Sequence, residues 1–296
     1  MSRIHEALKK AVKERGLQPH PGSVPEFPEV PLRAQTSVAE SADILGSEGV
    51  LGRESPVGGH FGSPDLLERC VRPKWNFDPR ICVFDGARGN NVGAERLRKL
   101  RTRLYEIAST RPLRRVLITS SVSGEGKTFV AANLAQSFLQ QPDLRVLLID
   151  ADMRVPTLHT ALGAPSSPGL SNYLRGEADE CMVIQNGLDG NLCFIPAGSK
   201  VANPNDLLLT DRMKKLLDFV TPIFDWIILD SPPIVPVSDA SVLSRLCDGV
   251  LLVVQAGETS HEIAEKACLE FPEKNLLGIV LNHANDIPAD YGYEYK

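Results

Sequence analysis

The sequence predicts an α/β fold, a mostly parallel sheet with helices packed on both faces. Three observations carry that prediction. Short apolar, β-branched runs recur along the chain and alternate with amphipathic stretches. Two of those runs end in an aspartate, and a third leads into a glycine-rich loop and a small-residue helix. Ligands of such sheets sit at the carboxyl ends of the strands, so loop and acids converge on one edge.

The run Val116-Leu117-Ile118 reads as a strand buried on both faces. Ser120 to Gly126 follow with small residues where the backbone must turn, and Phe129 to Ala135 read as a helix suited to close packing. The stretch from Ser121 to Thr128 fits G-x-x-x-x-G-K-[ST], except that Ser121 stands where the first glycine is expected. In a loop of this kind backbone N–H groups and a helix N-terminus face phosphate oxygens. The fold is therefore expected to be of the P-loop NTPase type, with ATP and Mg²⁺ as ligands. Candidate nucleotide-binding residues are Ser123, Gly124, Glu125, Gly126, Lys127, Thr128, Phe129 and Asn282. Lys127 is expected to reach the β- and γ-phosphates and the Thr128 hydroxyl to ligate Mg²⁺.

Strand-then-helix repeats after the loop. Arg145 to Asp150 and Trp226 to Asp230 are buried strands ending in acids; Cys193 to Pro196, Gly249 to Val254 and Leu277 to Leu281 complete the set. Asp211–Phe219 and Ser238–Leu246 are amphipathic pieces between them. Asp230 has the Walker B arrangement, a carboxylate at a strand end that holds Mg²⁺. Asp150-Ala151-Asp152-Met153-Arg154 places two carboxylates and a guanidinium at another strand end. Acids this close repel unless a cation or a proton separates them. Magnesium can do so for one and leave the other to accept a proton. The candidate catalytic residues are Lys127, Asp150, Asp152 and Asp230, with Thr128, Asp152 and Asp230 as metal ligands.

The chain has 296 residues, 43% apolar, enough for one large α/β domain with appendages. Its net charge of −5 makes no general case for nucleic acid. The six cysteines are scattered with no C-x-x-C pair, the pattern of reduced thiols in a cytoplasmic protein without a zinc site. No apolar run nears the ~18 residues of a membrane span, and no signal-peptide core opens the chain. A soluble protein is expected.

Residues 1–15 read as a basic amphipathic helix, with Ile4, Ala7, Leu8, Ala11 and Val12 on one face. Residues 16–74, rich in proline and glycine, read as a linker. The domain proper is expected over 75–285, opening with Pro79 to Phe84 as a short edge strand. A helix follows, with Leu97, Leu100, Leu104 and Ile107 as its apolar stripe. Beside the stripe Glu95, Arg98 and Arg101 form a ridge that can pair with a neighbouring copy. Residues 286–296 form a tail holding Tyr291, Tyr293 and Tyr295, three of the chain's five tyrosines. Exposed there, they are accessible hydroxyl nucleophiles.

These residues resemble the bacterial tyrosine kinases of polysaccharide export, in the form without a fused membrane domain. The resemblance spans about Asp78 to the C-terminus. It rests on S-G-E-G-K-T as Walker A, L-L-I-D-A-D-M-R as Walker A′, I-I-L-D-S-P-P as Walker B and the closing tyrosines. E-R-L-R-K-L-R is similar to the family's E-x-x-R-x-x-R, and the first eleven residues resemble an exosortase-associated variant. The resemblance implies autophosphorylation of Tyr291, Tyr293 and Tyr295 between subunits of a ring-shaped homo-oligomer bound through Glu95, Arg98 and Arg101. It implies a membrane-embedded chain-length regulator as activator, a phosphotyrosine phosphatase as counterpart, and a cytoplasmic place beside the inner membrane. It favours Asp150 as the base, with Asp152 and Asp230 toward Mg²⁺, although the roles could be exchanged. Min/Par-type ATPase switches share the fold and are the alternative. They usually carry an early lysine in the loop, and none lies between Arg115 and Lys127 here.

Overall fold

The computed structural model describes residues 63–84, 92–141, 143–187 and 191–284. In chain order these form helices α1 (Ser63–Arg69) and α2 (Val92–Ala108), strand β1 (Arg115–Ser120), helix α3 (Lys127–Phe138) and strand β2 (Val146–Asp150). Helices α4 (Leu158–Leu162), α5 (Leu170–Arg175) and α6 (Glu180–Val183) precede strands β3 (Gln185–Asn186) and β4 (Leu192–Ile195). Then come α7 (Pro204–Leu208), α8 (Asp211–Val220), β5 (Trp226–Asp230), α9 (Asp239–Ser244), β6 (Gly249–Gln255), α10 (His261–Leu269) and β7 (Leu276–Asn282).

The strands form one sheet in the order β3-β4-β2-β5-β1-β6-β7. All neighbours are parallel except the short β3, which runs antiparallel to β4. Side chains alternate between the two faces, as the pleat requires. Leu117, Leu147, Ile149, Ile227, Leu229 and Leu252 enter the core under α5, α8 and α9. Val116, Ile118, Val146, Leu148, Ile228 and Val253 enter the core under α2, α3 and α4. Both faces of the sheet are therefore covered, which is why its central strands read as unbroken apolar runs.

Two expectations need correction. Helix α1 lies within the stretch read as linker, and its Leu66 and Leu67, with Cys70 beyond it, are buried in the first core. Seven helical residues between polar stretches leave no periodic signal, so only packing reveals them. The segment from Pro79 to Phe84 is a turn instead of an edge strand. The N–H groups of Ile81 and Cys82 donate to the Asp78 carbonyl, and Asn133 of α3 holds the rest. Its Oδ1 accepts from the Val83 N–H at 2.8 Å, and its Nδ2 donates to the Ile81 carbonyl at 2.8 Å. A helix side chain thus satisfies the backbone that a neighbouring strand would have paired.

Candidate active site

β5 lies between β2 and β1, and the parallel register sets Asp230 opposite both Asp150 and Ile118. The two aspartates therefore stand on adjacent strands, whose spacing is about 4.8 Å. β1 ends at Ser120, the chain turns through residues 121–126, and α3 begins at Lys127. Gly124 and Gly126 both adopt φ near 90°, where a side chain is strained. Gly126 also has no space to spare, since a Cβ there would meet Asn282 Nδ2 at 2.0 Å. As N-cap it supplies no side-chain acceptor, so the first-turn N–H groups of α3 are left for another partner.

Charge converges on this turn. Lys127 Nζ is 2.9 Å from Asp152 Oδ2 and 3.9 Å from Asp230 Oδ1. The Thr128 hydroxyl donates to Asp230 Oδ2 at 2.7 Å, and Thr157 Oγ1 stands 3.3 Å from it. Asp150 accepts from the N–H groups of Asp152 and Leu158, each at 3.2 Å. Among the described residues, none donates a hydrogen bond to the buried Asp230 Oδ1.

Burial is the main reason these acids resist ionisation. It pushes Asp150 well above the ordinary carboxylate range, and the charges of Asp230 and Asp152 push it further. Burial raises Asp230 to about 6 even though Lys127 and Thr128 pull it down. On Lys127 burial acts to lower, but Asp230, Asp152 and Asp150 together outweigh it and the ammonium is raised. The result is a fixed cation among acids, one of them suited to accept a proton.

This geometry fits Mg²⁺ in the way that ion is usually held. No three His, Cys, Asp or Glu side chains among the described residues are placed to enclose a metal. Magnesium seldom needs such a cage; it takes one or two protein oxygens and fills its octahedron with water and phosphate. The orphaned Asp230 Oδ1 and the Thr128 hydroxyl can provide that much.

Known proteins resemble this chain in sequence and fold. Residues 114–267 match the family model of an AAA domain. The tyrosine-protein kinase YwqD of Bacillus subtilis is 36% identical over 206 residues, 69% of this chain and 86% of that one. The tyrosine-protein kinase CpsD of Streptococcus agalactiae serotype III is 39% identical over 178 residues, 59% of this chain and 76% of its own. The chain belongs to the bacterial tyrosine kinases. Its fold agrees with the kinase domain of the Escherichia coli tyrosine kinase ETK, at a TM-score of 0.64 and 29% identity over 82% of this chain and all of that one.

Within the kinase the structure brings Lys127, Thr128, Asp150, Asp152 and Asp230 together and distributes the other candidates around them. Ser123 and Gly124 are exposed on the loop, and Phe129 is half-buried behind it. Asn282, at the end of β7, donates through Nδ2 to the Glu125 carbonyl at 2.9 Å. Glu125 itself turns its side chain inward. In the ridge Arg98 pairs with Glu95 at 3.2 Å, while Arg101 Nη1 donates to the Ser137 carbonyl of its own chain. Tyr291, Tyr293, Tyr295 and the helix expected over 1–15 lie outside the described residues.

A second network escaped the sequence reading. Arg154, just beyond Asp152, grips the fully buried Asp239 at the start of α9 through Nε and Nη2 at 2.7 and 2.9 Å. Asn205 of α7 donates to the same carboxylate at 3.2 Å. Arg154 was visible in the motif, but nothing in the spacing identifies a partner 85 residues away.

Proposed function

We propose that this kinase transfers the γ-phosphoryl group of ATP to Tyr291, Tyr293 and Tyr295 of another copy. The observation that carries this reading is the convergence of Lys127, Thr128 and three aspartates at the carboxyl ends of β1, β2 and β5. Lys127 draws charge from the transferring phosphoryl oxygens, as a preorganised cation in a buried setting can. Asp150 takes the proton of the attacking tyrosine, since burial and the neighbouring acids raise its affinity for protons. Asp230, Asp152 and the Thr128 hydroxyl are the residues that would hold Mg²⁺, which would supply neutralising charge to the phosphates.

The family setting extends the reading. The kinase works in a ring-shaped homo-oligomer, is activated by a membrane-embedded chain-length regulator, is reset by a phosphatase, and controls exopolysaccharide polymerisation and export. Each phosphate adds roughly −1.5 to −2 charges. A modified tail is then repelled from the acid-lined site, which limits the reaction.

The test mixes a Lys127→Met chain with an active chain truncated after residue 285 and follows phosphotyrosine by mass spectrometry. Label on the inactive chain is expected. No label on the inactive chain, while a full-length active chain labels itself, overturns transfer between copies. ATP hydrolysis with no phosphotyrosine under any condition transfers the case to an ATPase switch.

A further inference from the structure

We infer that Glu125 is a positioning residue whose buried carboxylate holds the phosphate loop in shape from behind. Its place in S-G-E-G-K-T suggests a nucleotide contact, but the residue is only 1% exposed. Oε2 accepts from the Val122 N–H at the loop entry, at 2.8 Å. Oε1 accepts from the Gln255 N–H at the end of β6, at 3.2 Å, and from the Thr259 hydroxyl. The Glu125 carbonyl is held in turn by Asn282 of β7. One residue thus ties the loop to the two strands beyond it, and through Thr259 to the chain entering α10.

The loop needs such a tie because glycines flank Glu125 on both sides. Gly124 and Gly126 give the backbone its unusual turn, and the same freedom lets an unrestrained loop sample many shapes. A nucleotide would then select one shape from many and bind more weakly for it. The chemistry also calls for an acid. Two backbone N–H groups and a hydroxyl converge on the side chain, and an ionised carboxylate has only acceptors. A glutamine must turn its NH₂ group toward either the Val122 or the Gln255 N–H, and neither donor can rotate away. The Thr259 hydroxyl can.

This inference rests on the loop being the nucleotide site, so its test reads nucleotide affinity and leaves tyrosine phosphorylation aside. The full chain is titrated with Mg²⁺ and a fluorescent N-methylanthraniloyl ATP, and thermal melting is followed in parallel. Glu125→Gln is expected to weaken binding about tenfold, the equivalent of about 1.4 kcal/mol. In steady-state ATP hydrolysis its KM for ATP should rise by more than its kcat falls, since Lys127 and the acids stay in place. Thr259→Val should weaken binding about threefold and Thr259→Ser should restore it. Combining Glu125→Gln with Thr259→Val should cost less than the two single effects multiplied, because both loosen one clamp. Multiplicative effects, wild-type affinity in a folded Glu125→Gln chain, or a serine variant as weak as valine each overturn the proposal. If Glu125→Gln does not fold, the Thr259 pair decides alone: serine near wild type with valine weaker supports it. A wild-type chain that binds no nucleotide fails the loop assignment instead, and binding without phosphotyrosine fails only the kinase reading.

Discussion

The two ends of one sheet treat aspartate in opposite ways. At the amino ends, Asp248 Oδ2 accepts from the N–H groups of Arg114 and Arg115, each at 2.8 Å, and Asp225 accepts from the Arg145 N–H at 2.9 Å. Those carboxylates tie strand entrances together. At the carboxyl ends, Asp150 and Asp230 face each other across paired strands, resist ionisation through burial, and leave Asp230 Oδ1 without a hydrogen bond among the described residues. The first set stabilises the fold. The second is tolerated at a cost in stability because a cation or a proton can answer it.

The largest effect should come from Lys127, the cation that holds the second set together. Lys127→Met is expected to lower phosphotyrosine formation on the order of 10³-fold, read by radiolabelled phosphate transfer. Near-normal turnover would break the comparison at once.

Asp230 sharpens it through pH. Its folded pKa is raised from 3.8 to about 6, so its stabilising contribution is complete below 3.8 and is lost as pH rises toward about 6. In chelator, the wild-type chain should therefore lose thermal stability relative to Asp230→Asn across that window, by on the order of 3 kcal/mol. A gap between the two that does not change with pH would show that Asp230 is not strained.

The opposite end predicts the reverse pattern. Asp248→Ala leaves two backbone donors without their acceptor and should destabilise the fold by about 2 kcal/mol in denaturant titrations, with nucleotide affinity unchanged. Loss of affinity without loss of stability would erase the division between the two ends.

The smallest effect concerns the surface ridge. Glu95 is solvent-exposed, so replacing it by alanine should change monomer stability by less than ~0.5 kcal/mol. If the ridge joins subunits, sedimentation should nonetheless shift toward monomer. Arg101 is best kept, because its bond to the Ser137 carbonyl makes any Arg101 variant also a test of the α2–α3 packing.

The sequence by itself determined the sheet, the loop and the acids. Strands buried on both faces must be apolar throughout, and a phosphate loop needs its glycines and lysine close together in the chain, so both leave local signatures. β1, β2, β5, β6 and β7 accordingly lie within a residue or two of their expected limits. Tertiary structure alone decided what depends on distant partners. Helix α1 exists because Leu66 and Leu67 are buried in the first core beside α6, and the turn at Ile81 to Val83 exists because Asn133 reaches it. Glu125 turns inward because Gln255 and Thr259, more than a hundred residues later, supply donors there. Asp239 is the far end of a pair whose near end, Arg154, was in plain sight. Local patterns record which residues must be neighbours in the chain; a buried polar group records only that some partner was found, and the fold chooses which.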